Sequence, residues 1–200
     1  MKKEWRKHEK DIYLPKLQPT QITLAPHKFY TIFGQGNPNH EAFKEQVAAL
    51  YALSYGIRMM PKQGITPKGY SEYTVYPLEG IWSKAGDAFN KDDLIYQIMI
   101  RQPDFVTAEL AQQNLEQLAK KKPNPSYGLV NFETIEDGIC VQAMHLGPYE
   151  NEPLTFAKMD SYCQKQGLQR IGNKHREIYL SDPRKAAPDK LKTVLRYFVE

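Results

Sequence analysis

Glu177 heads the short set of residues in this chain that could act on a ligand. It stands in His175-Arg176-Glu177-Ile178-Tyr179-Leu180, an alternating run that reads as a strand. Strand side chains alternate, so Ile178 and Leu180 are expected in the core under a helix. Glu177 and Tyr179 are then expected on the other face, with His175. A carboxylate among aromatic and aliphatic neighbours is costly to ionise, which suits it to act as a general base or as counter-ion to a cation. The competing reading pairs Glu177 with Arg176 or His175 in a purely structural contact.

Other candidates gather around similar strand and helix ends. Glu79 and Trp82 lie in Pro77-Leu78-Glu79-Gly80-Ile81-Trp82, which leads away from a strand. Tyr96 and Met99 sit in Leu94–Arg101, apolar on both sides, so periodicity does not say which of its faces meets a ligand. His145 closes a strand beside a helix start, a place for a hydrogen-bonded structural residue or a catalyst. Tyr149 stands at the helix entrance, and Tyr55 shares a helix face with Tyr51. Several expected chemistries are missing. Gly34-Gln35-Gly36 is too short for a dinucleotide fingerprint, no Ser or Cys sits in a nucleophile elbow, and no cluster has metal-ligand spacing.

The elements that must position these residues form a repeat. Gln21–Asn39 and Asn131–Asn151 each read as a short strand, a tight turn, a longer strand, then Gly and Pro opening a helix. The turns are Ala25-Pro26-His27 and Glu136-Asp137-Gly138, and Asp-Gly between alternating runs signals a hairpin. Phe43, Val47, Leu50, Tyr51 and Ser54 keep helical spacing, with Asn37 or Asn39 as caps. Leu154, Phe156, Met159 and Cys163 do the same, ending at Gly167. Strands then follow at Tyr73–Gly80 and Leu94–Arg101 in one half, and at Arg176–Pro183 and Thr193–Val199 in the other. A further helix over Thr107–Lys121 has a Thr cap, an early Glu109 and three terminal lysines, the order a helix dipole prefers.

The pattern predicts one α+β domain over residues 1–200: a pseudo-twofold pair of βαββ halves with antiparallel sheets, helices on one face and a central ligand cleft. The halves are 20–105 and 128–200, joined by a connector helix over 106–127. Composition agrees with a globular protein, at 41% hydrophobic and 25% charged residues. Thirteen Tyr, eight Phe and two Trp supply ring surface for a ligand wall or for half-buried strands. The basic clusters are short and the net charge is +4, with no DNA-reading motif, so no nucleic-acid partner is expected. No apolar run reaches the ~20 residues of a membrane span. The start lacks a signal peptide's apolar stretch, and two cysteines suit buried free thiols, so the expected location is cytoplasmic.

The repeat, MHLGPYENE and HREIYLSDPR closely resemble the GyrI-like small-molecule-binding family, also called the SHS2-repeat or effector-binding-domain superfamily. DIYLPK, ALYALSYGIRM, YTVYPLEGIW, MIRQPDFVT and LKTVLR resemble a stand-alone branch of it, some of whose members hydrolyse cyclopropanoid genotoxins. The resemblance runs from Asp11 to Val199. It implies that Glu177 is the buried carboxylate of a pocket for flat, aromatic, largely apolar molecules. There it would activate water, with Tyr55 as a phenol meeting the developing oxyanion, and Trp82, Tyr96 and Tyr149 as walls. No cofactor or metal is implied. Two other functions stay open: a multidrug-binding or sequestering protein with Glu177 as counter-ion for lipophilic cations, and a gyrase-inhibitor-like interaction protein.

Overall fold

A computed structural model describes residues 2–84 and 90–200. Its helices are α1 (Trp5–His8), α2 (Lys10–Tyr13), α3 (Glu41–Met59), α4 (Ala108–Lys121) and α5 (Glu152–Gln166). Its strands are β1 (Thr20–Leu24), β2 (His27–Gln35), β3 (Leu78–Lys84), β4 (Leu94–Gln102), β5 (Val130–Ile135), β6 (Gly138–Leu146), β7 (His175–Tyr179) and β8 (Lys192–Phe198). The fold class is α+β with antiparallel strands, as the sequence predicts. Two compact units interleave along the chain. The first holds the described residues of Met1–Glu4, His27–Leu78 and Lys84–Ile135; the second holds Trp5–Pro26, Glu79–Ser83 and Glu136–Glu200.

In the first unit β2 lies between β4 and β5. Helix α3 covers the face that carries Tyr96, Ile98 and Ile100. Tyr96 donates to Gln46 Oε1 at 3.0 Å and meets Phe43 edge to face at 5.1 Å. Leu50, Leu53 and Ile57 are fully buried against this core. Tyr96 lies opposite Gly34, and its ring crosses that glycine: a Cβ there would come within 2.5 Å of Tyr96 Cε2. Met99, three residues on, points to the other face. Helix α4 starts as expected, with Thr107 Oγ1 accepting from Leu110 N at 3.2 Å. Asn114 on α4 donates to Leu53 O at 2.9 Å and to the Tyr30 hydroxyl at 3.2 Å, tying α4 to α3 and β2.

In the second unit the strand order is β1-β6-β8-β7, with β3 beside β7. Helix α5 lays Met159 and Cys163 on Val141, Ala143, Leu195 and Tyr197. It ends at Gly167 in the left-handed region, φ 68°, where a glycine carries no Cβ penalty. The opposite sheet face buries two arginines. Arg176 donates to Glu79 at 2.7 Å and to Asp137 at 2.6 Å. Arg196 donates to Gln142 Oε1 at 2.9 Å and to Ile12 O at 3.0 Å, which anchors the N-terminal segment. Burial opposes the Arg176 charge, yet Asp137 and Glu79 together hold its guanidinium above its ordinary range.

Four sequence expectations change. The two tight turns do not close hairpins: β1 pairs with β6, and β2 with β5. A two-residue hairpin of the favoured type needs positive φ at both central residues, and no described non-glycine residue has it, Ala25 and Asp137 included. Asn37 and Asn39 do not cap α3: His40 occupies the cap, and Asn37 Oδ1 accepts from Asn39 N instead. The strand expected from Tyr73 begins at Leu78, after Pro77, which has no N–H for a ladder. Lastly, α5 covers the face of Glu177 and Tyr179, not the face of Ile178. Cross-strand partners share a face, and Glu177 pairs with Leu195, which lies under α5.

Candidate functional site

The site is built on β7 and β3 of the second unit, beside the first turn of α5. Register places Gly80 opposite Glu177 and Trp82 opposite His175, so Trp82, His175, Glu177 and Tyr179 share one face. Gly80 has no side chain above it, and the Trp82 indole folds across the gap. A Cβ at Gly80 would come within 2.6 Å of Trp82 Nε1. That indole nitrogen donates to the Tyr179 hydroxyl at 2.7 Å, and the hydroxyl donates to Glu177 Oε2 at 2.8 Å. His175 Nε2 donates to Glu177 Oε1 at 2.8 Å. Glu177 is 9% exposed, with one fixed donor on each oxygen and lone-pair capacity left on both.

The turn before α5 and α5 itself add further rings beside this group. Tyr149 meets Tyr179 edge to face at 6.2 Å. Burial, then the charges of Glu177 and Glu152, push the Tyr149 hydroxyl up to about 12. Burial and Glu177 hold the Tyr179 hydroxyl well above its usual range, so it stays a donor at neutral pH. Phe156 stands against His175 at 4.9 Å and stacks on Tyr197 at 5.3 Å. His145 is 3% exposed and fully used: Nε2 donates to Pro148 O at 3.1 Å, so Nδ1 lies 2.9 Å from the Thr155 hydroxyl as its acceptor. It fixes the turn that carries Tyr149.

Glu152 is the residue that sequence reasoning missed. It opens α5, is 7% exposed, and its Oε1 has no hydrogen-bond partner among the described residues. Burial raises its carboxyl to about 9, with help from the charges of Glu177 and Glu150. In the sequence a Glu in a first helical turn reads as an ordinary partner of the helix dipole. The one available signal was its place in MHLGPYENE, five residues beyond Gly147.

Glu177, Tyr179, Trp82 and Tyr149 are therefore gathered into one cluster, with His145 bracing it. Glu79 lies on the other face of the strand pair, opposite Ile178, where Arg176 claims it. Tyr55, Tyr96 and Met99 belong to the first unit. Tyr55 is 53% exposed on α3, 6.5 Å from Tyr51 by ring centroids; Tyr96 and Met99 are buried on opposite faces of β4. The described helices include none long and apolar enough to cross a membrane.

Comparison with known proteins places this chain among relatives. The model of a family described as GyrI-like small molecule binding domain matches residues 17–197. A crystal structure of a hydrolase from Listeria innocua is 38% identical, with a TM-score of 0.92 over 99% of this chain and 100% of that one. An uncharacterized conserved protein from the same organism is 40% identical, with a TM-score of 0.93 over 99% and 100%. The EcmrR C-terminal domain, 13% identical over 92% of this chain and 97% of that one, shares the fold alone at a TM-score of 0.54. No curated protein matches the chain.

Proposed function

This chain belongs to the GyrI-like small-molecule-binding domain family, and from that premise we propose that it hydrolyses flat, aromatic, strained electrophiles at Glu177. The observation that carries the reading is the Glu177 carboxylate itself. It is nearly buried, oriented from both sides by His175 and Tyr179, and flanked by the rings of Trp82 and Tyr149. A general base needs a fixed position and a free lone pair, and Glu177 has both. The hydrolase from Listeria innocua, similar over almost the whole chain, supports a hydrolytic reaction.

The substrate class is a cyclopropane fused to a conjugated dienone, as in duocarmycin-type genotoxins, and the role is detoxification. Glu177 takes a proton from water as the water oxygen bonds to the ring carbon. The strained carbon–carbon bond breaks, its electron pair moves to the carbonyl oxygen, and an aromatic ring is restored. A hydrogen-bond donor at that oxygen lowers the barrier further. Aromatic walls orient the flat substrate by stacking. The reaction adds one water and uses no redox partner.

The test is disappearance of a duocarmycin-type compound with native protein and with E177Q. Native protein is expected to convert many equivalents, and E177Q to bind the compound and leave it intact. Equal conversion by both would contradict the role of Glu177. A second reading has support from the same carboxylate beside aromatic faces: a sequestering site for lipophilic cations. It predicts that E177Q selectively weakens binding of cations over neutral aromatics, with no conversion by the native protein.

A further inference from the structure

We propose that Glu152 is the acid partner of Glu177: a neutral carboxyl at the first turn of α5 that donates to an acceptor oxygen of the bound ligand. Its catalytic part rests on the hydrolase reading; its proton does not. Two facts of geometry carry the assignment. Glu152 is 7% exposed, and its Oε1 has no hydrogen-bond partner among the described residues, although buried carboxyl oxygens are seldom left unpaired. Glu177, by contrast, accepts from His175 and Tyr179. Of two carboxyls in one cluster, the one with fixed donors is equipped to carry charge, and the one without them holds the proton.

Among the described residues, no cation acts on Glu152. The charges that act on it are Glu177 from β7 and Glu150 from the preceding turn, both negative. Its charge, when ionised, also raises the hydroxyls of Tyr179 on β7 and Tyr149 in the turn. Asp182, in the loop after β7, adds a third negative charge at Tyr149. His175 is bonded to Glu177, and His145 to Thr155 and Pro148, so neither imidazole is placed on Glu152. An ionised Glu152 would therefore face carboxylates and rings at low dielectric, whereas a protonated one offers an O–H to whatever the cluster holds.

In turnover the pair divides the proton work. Glu177 accepts the proton that water loses on attack. Glu152 gives its own to the substrate's carbonyl oxygen as the ring electrons arrive there. The proton then passes from Glu177 to Glu152, directly or through water, and both groups are restored. One water is consumed and the charge on the pair is unchanged.

The experiment joins a direct reading of the proton to a kinetic one. Infrared spectra of protein labelled in its glutamate carboxyls are recorded for native, E152Q and E177Q across the neutral to alkaline range. A carboxylic-acid band is expected at neutral pH in the native protein and in E177Q, and it should be gone in E152Q. Turnover of the duocarmycin-type compound should fall about 10²- to 10³-fold in E152Q, with the alkaline limb of the kcat/KM profile lost. A missing band, a band that persists in E152Q, or E152Q turning over at the native rate with the native pH profile would overturn the assignment. If native protein converts nothing, the hydrolase reading fails and the band still decides where the proton sits. The donor role is then read from binding of fluorenone, a flat aromatic ketone, by Trp82 emission. Weaker binding by E152Q upholds the role, and equal binding overturns it.

Discussion

Replacing Glu152 with Gln should make the protein more stable, and by an amount that grows with pH. The carboxyl is raised from 4.5 to about 9 in the fold, chiefly by burial and then by Glu177 and Glu150. Between those values the folded protein keeps a proton that the unfolded chain has lost. Stability therefore falls as pH rises through that window, by up to about 1.4 kcal/mol per pH unit. Gln keeps the shape of the neutral acid and has no proton to lose. At acidic pH, near the unfolded value, this contribution vanishes and native and variant should differ little. Three pH units higher the variant should lead by up to about 4 kcal/mol. Urea unfolding of both proteins at several pH values reads this as diverging midpoints with matched slopes. Two parallel curves would mean that Glu152 is ionised in the fold, and the reasoning from its burial would fail.

Other substitutions probe the frame around the site. R176M leaves Glu79 and Asp137 buried without their main cation and should cost about 3–5 kcal/mol, read by urea unfolding; adding E79L should recover part of that loss. G80A drives a methyl group into Trp82 Nε1, so the indole must leave Tyr179. We expect a loss of about 1–3 kcal/mol, a red-shifted tryptophan emission and reduced turnover. T107A removes the α4 cap and should cost about 1 kcal/mol in thermal or urea unfolding, with turnover unchanged.

Local signals in the chain read through to the fold where local physics decides. The Thr107 cap, the Gly167 stop of α5 and the extent of β4 and β8 depend on nearby residues and appear as the sequence implies. Pairing was less visible. Asp137-Gly138 carries the sequence of a hairpin turn, but Asp137 keeps a negative φ and its carboxylate is taken by Arg176, so β6 pairs with β1. The face of β7 was misread for a related reason. Alternation identifies a core face only when the other face is wet, and here Arg176 and Ile178 are as buried as Glu177. Ion pairing lets an arginine sit beside an isoleucine on an inner face. Glu79 followed the same rule, drawn to Arg176 rather than to the cluster around Glu177. Glu152 was hidden because its burial comes from tertiary packing, which a first-turn glutamate does not announce.

Glu177 is proposed to drive the addition of water to a bound electrophile. The most direct measurement is mass spectrometry of a duocarmycin-type compound incubated in heavy-oxygen water with native protein, E177Q or no protein. Native protein is expected to release, over many turnovers, a product carrying one heavy oxygen, while E177Q matches the protein-free rate. Unlabelled compound recovered unchanged from the native protein, or labelled product formed equally by E177Q, would contradict it.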